Sequence, residues 1–476
     1  MNPIRLAVCG WAILLLVVGS INAADAPVAD AAEDQNLTMI QMLLEQKADV
    51  NAAQADGMTA LHWATYHDDV KTVKQLVAAG ADAKAATRYG VTPLSLACTN
   101  GNTPIVELLL ESGADANSKL PGAETALMTA SRTGRLGPVK ALISRGADVN
   151  ARERKGQTAL MWAAADGHVE VVDALLKAGA DFRTPLPSGF TPLFFAVREG
   201  RRDVVLRLLE AGIKVNDAMR PERKNGKATS PLILAVENGH FELAVDLLKA
   251  GADPNDRPSG YAALHAITWV RKPIRGDGDP PPIGSGNMNS QDLVRRLVEH
   301  KADVNIRLEK GESGRGRFTT TGSTPFLLAA RTADIPLMRL LLELSADPQL
   351  CNADNSTPLL AAAGVGALGD GDEAAGTEEE AVEAAKLLLE LGADINAVDY
   401  NGETAMHGAA YQDRPKFVKL LADRNSDINI WNRKNKWGWT PLLIAKGHRP
   451  GNFRPAPDSI AAIERVMQAA GVKTDP

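Results

Sequence analysis

Two short runs hold the side chains whose spacing could do chemistry. Each reads Gly-Asp-Gly-Asp and offers carboxylates at alternate positions, Asp277 with Asp279 and Asp370 with Asp372. Alternating carboxylates are calcium ligands in metal-binding loops. Neither run has the glycine at position six and the glutamate at position twelve that an EF-hand loop needs. These four are therefore weak metal candidates, set against the plainer reading of solvated acidic turns. The eight histidines show no H-E-x-x-H spacing, and no G-x-S-x-G elbow, P-loop or paired-cysteine motif occurs. The glycine-rich stretch 311–316 lacks the G-K-[ST] ending of a phosphate cradle. The expectation is a chain that is not an enzyme and carries no cofactor.

Composition narrows the class further. The formal net charge is -6, and no basic cluster goes beyond short groups such as Arg271, Lys272 and Arg275. That argues against nucleic acid, which is bound by clustered Lys and Arg that displace counterions. Aromatics make up only 4% of the chain, which suits many small packed helices better than one large core. At the N-terminus, Arg5 precedes an apolar run from Leu6 to Val18 and a small-residue stretch at Asn22-Ala23-Ala24. This reads as a signal peptide over 1–23, cleaved after Ala23, with an uncleaved anchor as the alternative. Residues 24–30 are expected to be a short linker. Cys98 and Cys351 then remain, too far apart along the chain to predict a disulfide.

The elements that carry these side chains are set by repetition. Thr59-Ala60-Leu61-His62 recurs as Thr92-Pro93-Leu94, Thr125-Ala126-Leu127, Thr158-Ala159-Leu160 and Thr191-Pro192-Leu193, each 33 residues after the last. It returns at Ser230, Ala262, Thr324, Thr357, Thr404 and Thr440, and Gly-Ala-Asp follows the regular copies 21 residues later. Thr caps a helix, Pro fits its first turn, and Gly ends the second helix in a left-handed conformation. The period and the phrases resemble ankyrin repeats. The resemblance runs from about residue 32 to the C-terminus. It implies an all-α solenoid of about 12 helix-turn-helix units joined by short β-hairpins. It also implies that His62, His265 and His407 bond the neighbouring backbone.

In that register, residues 31–58 form an N-terminal capping repeat, 59–216 regular repeats, 217–439 repeats with loop insertions, and 440–476 a C-terminal capping repeat. Extra residues fall between helices in repeats seven, nine and eleven, and in the hairpins at 217–228 and 306–321. The segment 271–288 is expected to stand clear of every repeat core. Thr377-x-x-Glu380 reads as a capping box that restarts a helix.

The resemblance implies a protein partner, since the family uses hairpin tips and the exposed end of the first helix for contact. Tyr66, Tyr89, Phe190, Tyr261, Trp269, Tyr400, Tyr411, Trp437 and Trp439 fall in that register, with Arg271 and Arg275 beside them. Tyr and Trp dominate interface hot spots. The reading is a monomeric, non-catalytic scaffold in the periplasm or outside the cell, binding an envelope or secreted protein. The binding groove is placed in repeats six to eleven, walled by the insertions. A small-ligand or calcium module built by the inserted loops is the alternative.

Overall fold

Threonine followed by proline or alanine opens most of the first helices, and the cap geometry follows from that choice. Thr92 Oγ1 accepts from Ser95 N at 3.1 Å and Thr324 Oγ1 from Leu327 N at 3.2 Å. The Thr377–Glu380 box closes in both directions, at 3.2 and 2.9 Å. The computed structural model describes residues 26–223, 226–272, 282–311, 317–367, 376–448 and 454–474. Two compact units divide the chain, the first ending at Ala159 and the second beginning at Leu160.

The first unit holds four helix pairs. They are α1 (Pro27–Glu33) with α2 (Leu37–Glu45), α3 (Ala60–Tyr66) with α4 (Val70–Ala78), α5 (Pro93–Asn100) with α6 (Thr103–Glu111), and α7 (Ala126–Thr133) with α8 (Leu136–Ser144). The linker expected over 24–30 is corrected by α1. Val28, Ala29, Ala31 and Ala32 are all buried, so this stretch packs as a first helix although it lacks the Thr-Pro-Leu phrase.

The second unit begins with α9 (Ala159–Asp166) and α10 (Val169–Lys177), α11 (Pro192–Arg198) and α12 (Arg202–Glu210), then α13 (Pro231–Glu237) and α14 (Phe241–Lys249). It continues with α15 (Ala263–Arg271) and α16 (Ser290–Glu299), α17 (Pro325–Arg331) and α18 (Ile335–Glu343), then α19 (Pro358–Ala363) and α20 (Glu378–Glu390). The rest are α21 (Ala405–Tyr411) and α22 (Pro415–Asp423), the short α23 (Ile428–Trp431), then α24 (Pro441–Ala445) and α25 (Pro457–Ala469). No helix among the described residues is long and apolar enough to cross a membrane.

Within each unit, every pair buries a small core of its own and shares it with the next. Leu61, Ala64, Val73 and Leu76 are fully enclosed in one repeat, as Leu94, Ala97, Ile105 and Leu109 are in the next. Burying one such leucine or valine is worth about 1.5–3 kcal/mol. The connections are tight turns; among the described residues only isolated bridges form, Lys119 with Thr125 and Met219 with Thr229. Strand pairing is replaced by two recurring devices. Within each unit, hairpin tips are tied by single backbone bonds, such as Arg88 N to Asp56 O (3.1 Å) and Tyr400 N to Asp354 O (2.9 Å). The asparagine two residues past each Ala-Asp pair holds the next such pair: Asn51, after Ala48-Asp49, accepts at Oδ1 from Asp82 N at 2.7 Å, and Asn305, after Ala302-Asp303, accepts at Oδ1 from Asp347 N at 2.8 Å. The histidines act as the resemblance implied. Thr59 N donates to His62 Nδ1, and Nε2 reaches Val91 O of the following repeat at 3.0 Å.

Two insertions fold inward. Gly284 lies so close to the backbone of repeat six that an added Cβ would stand 1.8 Å from Gly239 O. Ser285 N donates to His240 Nδ1, and Asn287 N to Glu242 Oε1, each at 2.9 Å. The expectation that 271–288 stands clear of the repeats is therefore corrected for its described residues 282–288, and the cause is this docking. In the long hairpin, Phe318 is buried against Leu327 of α17 and Ala361 of α19, with the Arg331 guanidinium over its ring at 4.7 Å. Phe318 N donates to Gly366 O at 3.1 Å, where Gly366 has a φ of 70° and no room for a side chain. The hairpin thus lies over the first helices of repeats eight and nine instead of walling an open groove beside them.

Candidate binding face

Packing sorts the aromatic candidates into enclosed, paired and free. Tyr411 is fully buried. The last turn of α21 drives its hydroxyl inward to donate to Glu403 Oε1 at 2.8 Å, so its assignment as a contact residue is corrected. Asn435 Nδ2 donates to the same oxygen at 3.0 Å, and Asp399 accepts from Ser356 Oγ at 2.9 Å. Burial, with Asp399 nearby, pushes the Glu403 carboxyl up to about 8. Arg271 is corrected too. Its guanidinium grips the enclosed Asp334 carboxylate at 2.7 and 2.9 Å and also bonds Ser290 Oγ. A side chain so engaged is a strut between repeats, not a free contact. Lys272 extends the strut to Glu380 at 2.8 Å. Arg275 and the four aspartates Asp277, Asp279, Asp370 and Asp372 lie outside the described residues.

Five other candidates are half-buried and stacked on neighbours. Tyr261 meets the Trp269 edge at 5.1 Å and donates to Glu237 Oε1 at 2.8 Å. Trp437 and Trp439 stack at 5.8 Å. Phe190 packs on Phe195 at 5.1 Å beneath Arg198. The exposed tyrosines are Tyr66, Tyr89 and Tyr400, at 56%, 60% and 74%. Tyr89 already carries the Arg88 guanidinium 4.8 Å over its ring.

Tyr66 belongs to a larger aromatic group in the first unit that the sequence alone did not join. On α3, Trp63 and Tyr66 meet edge to face at 5.8 Å, and His67 stacks on Trp63 at 5.9 Å. Trp63 Nε1 donates to Gln54 Oε1 at 2.7 Å. The other end of that amide, Gln54 Nε2, donates to Asp30 Oδ1 at 2.8 Å and Glu33 Oε2 at 2.6 Å. One amide thereby fixes two exposed carboxylates of α1 beside the rings. Asp30 and Glu33 gave no sequence signal because α1 lacks the repeat phrase that sets register.

Among the described residues, no three His, Cys, Asp or Glu side chains gather in a way that could hold a metal ion. Cys98 is enclosed in α5, where burial pushes its thiol up to about 12. An open groove of about 990 Å³ runs between α22 and α25 over Ala422, Ala461, Ala462 and Ala469. None of the aromatic candidates lines it. What the geometry offers is a frame that presents aromatic rings, the residue type enriched at protein-contact surfaces.

Family models described as ankyrin repeats (3 copies) match residues 28–120, 73–153, 127–219 and 373–451, and one described as ankyrin repeat matches 229–258. Together they cover more than half of the chain. The chain is similar to inversin of Gallus gallus, with 32% identity over 130 residues, which is 26% of this chain and 11% of inversin. It is also similar to a putative ankyrin repeat protein of Rickettsia bellii, 26% identical over 145 residues, covering 30% of this chain and 37% of that protein. A third relative is the ankyrin repeat and KH domain-containing protein mask of Drosophila melanogaster, 32% identical over 125 residues, 26% of this chain and 3% of that protein. The matched stretches thus span about a tenth of inversin and little more than a third of the rickettsial protein.

Proposed function

The chain belongs to the ankyrin-repeat family, and from that premise we propose that it is a non-catalytic scaffold that binds one envelope or secreted protein outside the cytoplasm. Ankyrin repeats generally mediate protein–protein interaction, and the family is typically not enzymatic. The observation that carries the reading is the presentation of Tyr66, Tyr89 and Tyr400 at helix ends and hairpin tips that are otherwise held rigid. An exposed tyrosine on a fixed backbone gains much buried area on docking and loses little rotamer freedom. Export is supported by the basic start, apolar core and small-residue end of residues 1–24.

Two measurements test this. Mass spectrometry of the exported protein is expected to find its N-terminus near Ala24; intact Met1 in a cytoplasmic pool would overturn export. Affinity capture from an envelope extract is expected to retain one partner on the full chain. Tyr66→Ala with Tyr89→Ala and Tyr400→Ala should release it, by at least about 100-fold in affinity if each ring is a modest hot spot. Undiminished capture by the triple variant would place the contact elsewhere.

A further inference from the structure

We propose that the aromatic face of the first two repeats binds a cationic segment of a partner protein, rich in lysine or arginine. This rests on the scaffold reading and names the chemistry of the partner. The face is the Trp63–Tyr66–His67 cluster together with Asp30 and Glu33, joined by the Gln54 amide. The Tyr66 ring is the open one: it is more than half exposed, and it stands perpendicular to Trp63. A guanidinium or ammonium group is drawn to such ring faces by their quadrupole, and to carboxylates held beside them.

Charge specifies the occupant. Residues 26–91 carry nine acidic and five basic side chains, an excess of four negative charges within a chain whose total is -6. Asp30, Glu33 and Asp34 are exposed. Among the described residues, no lysine or arginine pairs with any of these three. Among the described residues, the ion pairs run from Glu111 to Glu464. Several carboxylates elsewhere, such as Glu111, Asp334 and Glu380, are paired with Lys or Arg, whereas those beside Trp63 are paired with neither among the described residues. Their hydrogen bonds to Gln54 hold them in place without cancelling their charge. Asp69 is set apart from this group because it caps α4 through Lys71 N and Thr72 N. Tyr89 is set apart as well, since Arg88 already covers it. Complementary charge of this kind steers encounter and makes binding sensitive to salt.

The test uses the full chain and a fluorescein-labelled peptide of six Arg-Gly repeats, with six Glu-Gly repeats as the control, followed by anisotropy at low salt. The arginine peptide is expected to bind saturably and the glutamate peptide not to bind. Tyr66→Ala, and separately Asp30→Asn with Glu33→Gln, should each weaken binding about tenfold, as expected for a ring or a charge pair at a contact centre. Glu390→Gln with Asp394→Asn, which removes the same charge in the second unit, should leave it unchanged. All these positions are exposed, so the variants keep their fold, and a thermal melt confirms that. Equal weakening by both charge-removing pairs means diffuse attraction and overturns the proposal, as does no binding at all. If the chain still captures its envelope partner in either of those cases, the scaffold reading stands and only the cationic assignment falls.

Discussion

Arg271→Ala is expected to destabilise the second unit by about 3–5 kcal/mol, measured by urea unfolding. The guanidinium holds both oxygens of Asp334, a carboxylate only 3% exposed. Removing one partner of an enclosed pair strands the other charge without water, and that desolvation sets the size of the loss. Asp334 also caps α18 through Leu337 N at 3.2 Å, so it cannot turn outward to recover solvent without giving up a second bond. Replacing both residues together, Arg271→Met with Asp334→Asn, should restore much of the stability, because the stranded charge is gone while the cap remains. The same logic changes what shortening the loop would do. Replacing 271–288 with a turn removes Arg271, the Ser285 bond to His240 and the Asn287 bond to Glu242. A clear drop in Tm is the expected outcome. If Arg271→Ala unfolds within about 0.5 kcal/mol of the parent chain, the strut is ornamental.

The second large effect depends on pH. Glu403 is enclosed among Tyr411, Asn435 and the carboxylates of Asp399 and Asp354, and burial is the main cause of its raised pKa of about 8. Released from the fold it would titrate near its ordinary 4.5. Between those values the folded chain holds a proton that the unfolded chain has lost. Its stabilising contribution is therefore complete below about pH 4.5, declines as pH rises, and is gone above about pH 8. His265 and His407, both pushed down to about 4 by burial, work in the opposite sense. Their contribution is complete above pH 6.5 and is lost as pH falls toward 4. The window from 6.5 to 8 lies above the histidine range, and about 2 kcal/mol should disappear across it as Glu403 loses its proton. Glu403→Gln, neutral at every pH and able to keep the Tyr411 bond, should flatten that slope and exceed the parent chain in stability at pH 8.5. A slope that survives the substitution would assign the titration to another group.

The repeat frame was legible residue by residue. Thr92 and Pro93 announce a capped helix start, and Gly101 takes the left-handed φ of 74° that ends α5. His62 reaches the next repeat where the Thr-Ala-Leu-His phrase put it. The helix-to-helix insertions were legible as well, because the period fixes where residues are surplus. Their behaviour was not. Phe318 is the one aromatic of the hairpin 306–321, and nothing in its spacing set it over Leu327 and Ala361, where the hairpin turns inward. Tyr411 shares the helix-end register of Tyr66, yet one is enclosed and the other exposed. The difference comes from Glu403 and Asn435, which give the Tyr411 hydroxyl a buried destination.

By itself, then, the sequence determined the family, the all-α class, the order of the helix pairs and the positions of the surplus loops. It could do so because each repeat is stabilised by its own caps and by its immediate neighbours, so the information is local and recurs with the period. The tertiary structure decided which side chains of those repeats are free to meet a partner. Arg271 finds Asp334 across 63 residues, and Gln54 joins Asp30 and Glu33 to Trp63 across spans of 24, 21 and 9. Such contacts depend on how a turn from one repeat lies over the helix of another. A periodic pattern repeats the frame that makes them possible, but it leaves the identity of each meeting pair to the packing.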